Sequence, residues 1–80
     1  MLRFLQSANI PCLPKLTPKK VIDILLRNGF EHHHTTGSHR FYFHPIRKKI
    51  TMVAYHTKDL PRGTLTEIIK QSGLRRSDFL

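Results

Sequence analysis

The sequence predicts an α+β domain of order α-β-β-β-α, a three-stranded antiparallel sheet with two helices on one face. Three observations predict it. A capped amphipathic segment begins after Thr17, three short aromatic and β-branched segments follow with turn residues between them, and a second amphipathic segment ends at Gly73. At 80 residues the chain makes one domain that buries only about 60 to 65% of its unfolded surface, so the core is thin and no enclosed cofactor site is expected.

Residues 1–14 lack helical or strand periodicity and contain Pro11 and Pro14, which reads as an irregular arm ahead of a domain spanning 15–80. Thr17 is a capping residue, Pro18 suits the first helical position, and Gly29 suits the left-handed residue that closes a helix, giving a first helix over Pro18–Asn28. Val21, Ile22, Leu25 and Leu26 form its apolar stripe. The strands are expected at Phe30–Thr35, His39–His44 and Lys49–Tyr55. Thr36-Gly37-Ser38 and Pro45-Ile46-Arg47-Lys48 make the hairpin connections. Alternation sets His39, Phe41 and Phe43 against Arg40, Tyr42 and His44, and Ile50, Met52 and Ala54 against Thr51, Val53 and Tyr55. The more apolar set, Phe41, Phe43, Ile50 and Met52, is expected to be buried, leaving Tyr42 and Tyr55 on the exposed face. Thr64 and Glu67 have the spacing of a capping box, so the second helix is expected from Thr64, with Leu65, Ile68 and Ile69 packing beside the first. Leu74, Phe79 and Leu80 are expected to form a C-terminal clasp, with a turn of helix capped by Ser77.

Charge narrows the function. Fourteen Lys and Arg against five Asp and Glu give a net charge of +9, a field that favours RNA, DNA, anionic lipid or an acidic protein. Gln6, Ser7 and Asn9 interrupt the apolar N-terminal residues, so no secretion signal is expected. No apolar run approaches the ~18 residues of a membrane span. The single cysteine, Cys12, allows neither an internal disulfide nor a cysteine-built zinc site, and a reducing, cytoplasmic setting is expected.

All six histidines lie between His32 and Lys58, with Arg40, Arg47, Lys48, Lys49 and Lys58, and that interval holds no carboxylate. The five acids are too scattered for a two-metal nuclease. Acid–base chemistry on RNA remains, in which an imidazole takes a proton from the ribose 2′-OH or gives one to the leaving 5′-oxygen while cations neutralise the phosphorane. His32 and His34 share a face in a regular strand, yet with no cysteine or helical partner they make a weak ligand set, and no metal site is expected. His44 and His56 read equally as phosphate contacts or as surface histidines. Arg40, Arg47, Lys48, Lys49 and Lys58 are candidate RNA contacts. His39 follows the Gly37-Ser38 turn, where a tight backbone admits a phosphate, and precedes Arg40. Its spacing leaves a catalytic reading and a core-edge reading both open.

A resemblance favours one of them. Residues 15–80 resemble the HicA toxins through LTPKKVIDILLRNGF, TTGSHRFYFHP and KDLPRGTLTEIIKQSGL, three segments in the family's order. The resemblance implies a double-stranded-RNA-binding-domain-like fold, metal-independent cleavage of messenger RNA, and neutralisation by a HicB-like antitoxin, for which the charge argues an acidic protein. It also implies that His39, the histidine of the Gly-Ser-His motif, is catalytic. Two differences from such proteins stand out: EHHHTT is unusually rich in histidine, and Phe43 stands where a basic residue is common. The alternative from a different class is a non-catalytic module binding duplex RNA by shape, and a weaker one an adaptor for anionic surfaces. An enzyme needs His39 and a binder does not.

Overall fold

The computed structural model describes residues 15–55 and 58–80. The expected N-terminal arm at 1–14 lies outside the described residues. The order is α1 (Pro18–Arg27), β1 (Glu31–Thr36), β2 (His39–His44), β3 (Lys49–Ala54), α2 (Arg62–Ser72) and a short 3₁₀ helix, Arg76–Phe79. The strands form one antiparallel sheet in the order β1-β2-β3. This is the α+β architecture that the sequence predicts.

Thr17 accepts the Lys20 amide at its side-chain oxygen (3.3 Å) and caps α1, and Pro18 opens the helix. The C-terminus closes with paired bonds, Gly29 N to Leu26 O and Phe30 N to Leu25 O, around a glycine at φ +93°. The Phe30 amide is thereby spent on the helix, so β1 starts at Glu31 rather than at Phe30. Tyr55 likewise leaves β3, its amide bonding the carbonyl of Ser38 at 2.7 Å. The second helix begins at Arg62, two residues ahead of the expected start. Pro61, in extended conformation, precedes it without a side-chain cap, so Thr64 lies inside the helix and the Thr64–Glu67 capping box does not form. Asp78 rather than Ser77 caps the 3₁₀ turn, accepting the Arg75 amide at 2.9 Å.

The core unites Val21, Ile24 and Leu25 of α1, Leu65, Ile68 and Ile69 of α2, Phe30, Leu74 and Phe79, with Tyr42 and Val53 from the sheet. Thr51 donates to Gln71 Oε1 (2.9 Å), tying β3 to α2. The helices therefore cover the face bearing Tyr42, Thr51 and Val53, which reverses the expected parity. Tyr42 is 3% exposed, whereas Ile50 and Met52 are 49% and 36% exposed, and Phe41 and Phe43 are half-buried. Tyr55 packs partly buried against the core. In the sequence the hydroxyls of Tyr42 and Thr51 look solvent-directed, which is why the expected faces are the reverse of those observed. A tyrosine body nonetheless contributes a large apolar surface, and the Thr51 hydroxyl has its partner in Gln71.

Candidate active site

Sheet topology places the two hairpin turns at opposite ends of β2. At one end, Gly37 and Ser38 join β1 to β2. Gly37 takes φ +60°, and the space a side chain would occupy there is open. Thr36 and His39 close the turn as a register pair, and Ala54 lies across from His39 on β3. His39 is exposed at the first position of β2. It belongs to the face the helices leave open, since it shares parity with Phe41 and Phe43. The turn is braced by the bond from the Tyr55 amide to the Ser38 carbonyl. Arg40 points to the opposite face, where its guanidinium lies 3.8 Å from the centroid of the Tyr55 ring, a cation–π contact. Lys58 is exposed on the segment that follows Tyr55, beyond residues 56 and 57, which lie outside the described residues together with the candidate His56.

The other end carries the second basic group. Arg47 and Lys48 sit in the turn after His44, about 17 Å along the strand from His39 at the usual rise per residue. Lys49 begins β3 on the helix-covered side, and its methylenes run close to Gly73. The structure thus gathers Gly37, Ser38, His39 and Arg40 at one end and Arg47, Lys48 and Lys49 at the other. His44 holds the second turn from beneath. Only 8% exposed, it accepts the Ile46 and Arg47 amides at Nδ1 (3.3 and 3.1 Å) and meets Phe30 edge-on. A Cβ at residue 29 would fall 2.7 Å from its Nε2, so glycine is required there for space as well as for φ. His44 is accordingly a buried structural histidine, neither a phosphate contact nor a surface group. The available signal was its parity with Tyr42, which the reversed faces concealed.

Between the two ends runs an aromatic row, residues 39, 41 and 43. Across it on β3 lie Ala54, Met52 and Ile50, and on β1 lie Thr36, His34 and Glu31. The register of β1 shifts between His32 and His34. This bulge places His32 edge-on to Tyr42 and hydrogen-bonded to Thr35, while His34 stacks flat on Phe41 at 4.3 Å. His32 and His34 therefore do not share a face, contrary to the regular alternation expected. His33 approaches His34 instead, Nδ1 to Nδ1 at 2.7 Å. Among the described residues, no three His, Cys, Asp or Glu side chains converge as a metal site would require. Both ion pairs among those residues, Lys19–Asp23 and Lys70–Glu67, run along helices, away from the sheet. No helix among the described residues is long and apolar enough to cross a membrane.

This arrangement sets an exposed imidazole beside an open backbone turn, with the cations of the second turn at the far end of β2. A family model described as the HicA toxin of bacterial toxin–antitoxin systems matches residues 18–74, from the start of α1 to just past α2. A comparison with curated proteins gave no match.

Proposed function

The chain belongs to the HicA toxin family of bacterial toxin–antitoxin systems, and from that premise we propose that it is a metal-independent endoribonuclease that cleaves messenger RNA in the cytoplasm. The observation that carries the reading is the placement of His39, exposed at the head of β2 beside an unobstructed glycine turn. A phosphate can approach the backbone at Gly37 and Ser38 while the imidazole reaches the ribose.

His39 either accepts the 2′-OH proton as the 2′-oxygen attacks phosphorus, with water protonating the departing 5′-oxygen, or delivers that proton itself, with water taking the one from the 2′-OH. The new P–O2′ bond replaces the P–O5′ bond, leaving a 2′,3′-cyclic phosphate and a 5′-hydroxyl. Lys58, on the segment that follows β3, supports the charge on the phosphorane. Arg47 and Lys48, too far to touch the same phosphate, hold the substrate further along. An acidic HicB-like antitoxin neutralises the toxin, its approach steered by the +9 charge.

The test is cleavage of a defined RNA in excess EDTA, alongside the DNA of the same sequence. Cutting of RNA alone, with cyclic-phosphate ends, is expected. Loss of activity with chelator and rescue by a divalent ion would replace this chemistry with a metal-dependent one.

A further inference from the structure

We infer that the open face of the sheet is a stacking platform for unpaired RNA, with Phe41 and Phe43 receiving bases next to the phosphate engaged at His39. The inference rests on the reading of the chain as an RNA-cleaving protein. It goes further by naming the conformation of the substrate and the residues that select it.

The starting point is an imbalance between the two faces. Helices cover Tyr42, Thr51 and Val53, while Phe41, Phe43, Ile50 and Met52 stay at least partly accessible. An aromatic and aliphatic patch left on the outside of a small basic domain marks a contact surface. Its layout is linear. His39, Phe41 and Phe43 occupy alternate positions of one strand, roughly 6 to 7 Å apart. Met52 and Ile50 flank the two phenylalanines in register. His34 already lies parallel to Phe41, with 8° between the ring planes, so this face accommodates flat rings in stacked contact.

The chemistry of the face decides among RNA forms. Duplex RNA presents phosphates and 2′-hydroxyls and hides the faces of its bases, so a protein reads it with cations and polar donors. Phenylalanine, methionine and isoleucine offer none of these. Unpaired bases expose π-faces that stack on aromatic side chains with little regard to sequence.

Charge decides between RNA and a purely apolar partner. Arg47 and Lys48 sit in the turn at the far end of the row from His39, and the chain as a whole carries a net charge of +9. Glu31, in register with Phe43, is the one carboxylate in the three strands, and it lies on an edge strand. An extended RNA along β2 would keep its bases on the row and its phosphates near the cations of the second turn.

The test is binding of a labelled, fully 2′-O-methylated oligonucleotide, which lacks the nucleophile and cannot be cut, to the full chain. Phe41→Leu and Phe43→Leu keep an apolar side chain and remove the ring. Each is expected to weaken binding of the unpaired strand by about 5- to 100-fold, to leave binding of the matched duplex unchanged, and to be rescued by tryptophan at the same position. Unchanged affinity for the unpaired strand would overturn the platform, including the case in which only antitoxin binding falls. An equal loss on the duplex would overturn it too. Should a variant melt early, photo-crosslinking of iodouracil-bearing RNA to the unaltered chain decides: crosslinks at Phe41 or Phe43 support the platform, and crosslinks confined to α1 and α2 overturn it. Because binding is read without cleavage, a chain that binds through these rings and cuts nothing would sink the ribonuclease reading alone. A chain that cuts RNA but ignores the Leu changes would sink the platform alone.

Discussion

The two faces of the sheet are built from similar residue types and do opposite jobs. On the covered face, Tyr42, Thr51 and Val53 meet helices, and the polar atom of Thr51 finds a partner in Gln71. On the open face, Phe41, Phe43, Ile50 and Met52 are the greasier set and yet meet solvent. Apolar character alone therefore does not decide which side of a sheet is buried.

The comparison breaks most visibly at His39. His39→Ala is expected to lower the cleavage rate by about 10²- to 10⁴-fold and to abolish growth arrest, while circular dichroism and the melting temperature stay close to those of the unaltered chain, since this side chain is exposed. Full cleavage by the variant would remove its catalytic role, and unfolding would restore the core-edge reading.

Stability should separate the two faces next. Tyr42→Ala empties a site in the core and is expected to cost about 3 to 5 kcal/mol in urea unfolding, by analogy with large aromatic truncations. Phe43→Ala, half-buried, is expected to cost roughly 1 kcal/mol. The opposite order would show that the faces are reversed. At 3% exposure, Tyr42 offers almost no surface to a partner of the folded chain. Gly29→Ala is expected to cost about 1 to 3 kcal/mol from its positive φ, sharpened by the approach to His44. Smallest are Arg47→Ala and Lys48→Ala, each expected to reduce the slope of log affinity for RNA against log salt by about 1 with little change in stability. An unchanged slope would remove these residues from the RNA path.

Much of the fold was legible in the sequence because its punctuation is local chemistry. Thr17, Pro18, Gly29 and Gly73 announce the ends of helices through capping and left-handed geometry, needing no knowledge of the rest of the chain. Facing was not legible. Phe41, Tyr42 and Phe43 follow one another, so strand β2 has no alternation to read. The bulge at His33 breaks the period of β1 without any Gly or Pro to signal it. The start of α2 was hidden because Thr64 and Glu67 have the spacing of a capping box, whereas the helix starts after Pro61 with no side-chain cap. In the site, the Gly37-Ser38-His39 hairpin was legible as a motif and in its strand position. The distance of Arg47 and Lys48 from it follows from the meander itself, whose two turns must lie at opposite ends of β2. The role of His44 depended on contacts with Gly29 and Phe30 that only folding creates.

The most direct measurement of the central claim, that catalysis and recognition belong to the open face, is a backbone and methyl NMR titration of the chain with uncleavable unpaired RNA. The account predicts shifts at Gly37, His39, Phe41, Phe43 and the Met52 methyl, with Val53 and the buried residues of α1 and α2 unmoved. Shifts concentrated on α1 and α2, with β2 silent, would contradict it.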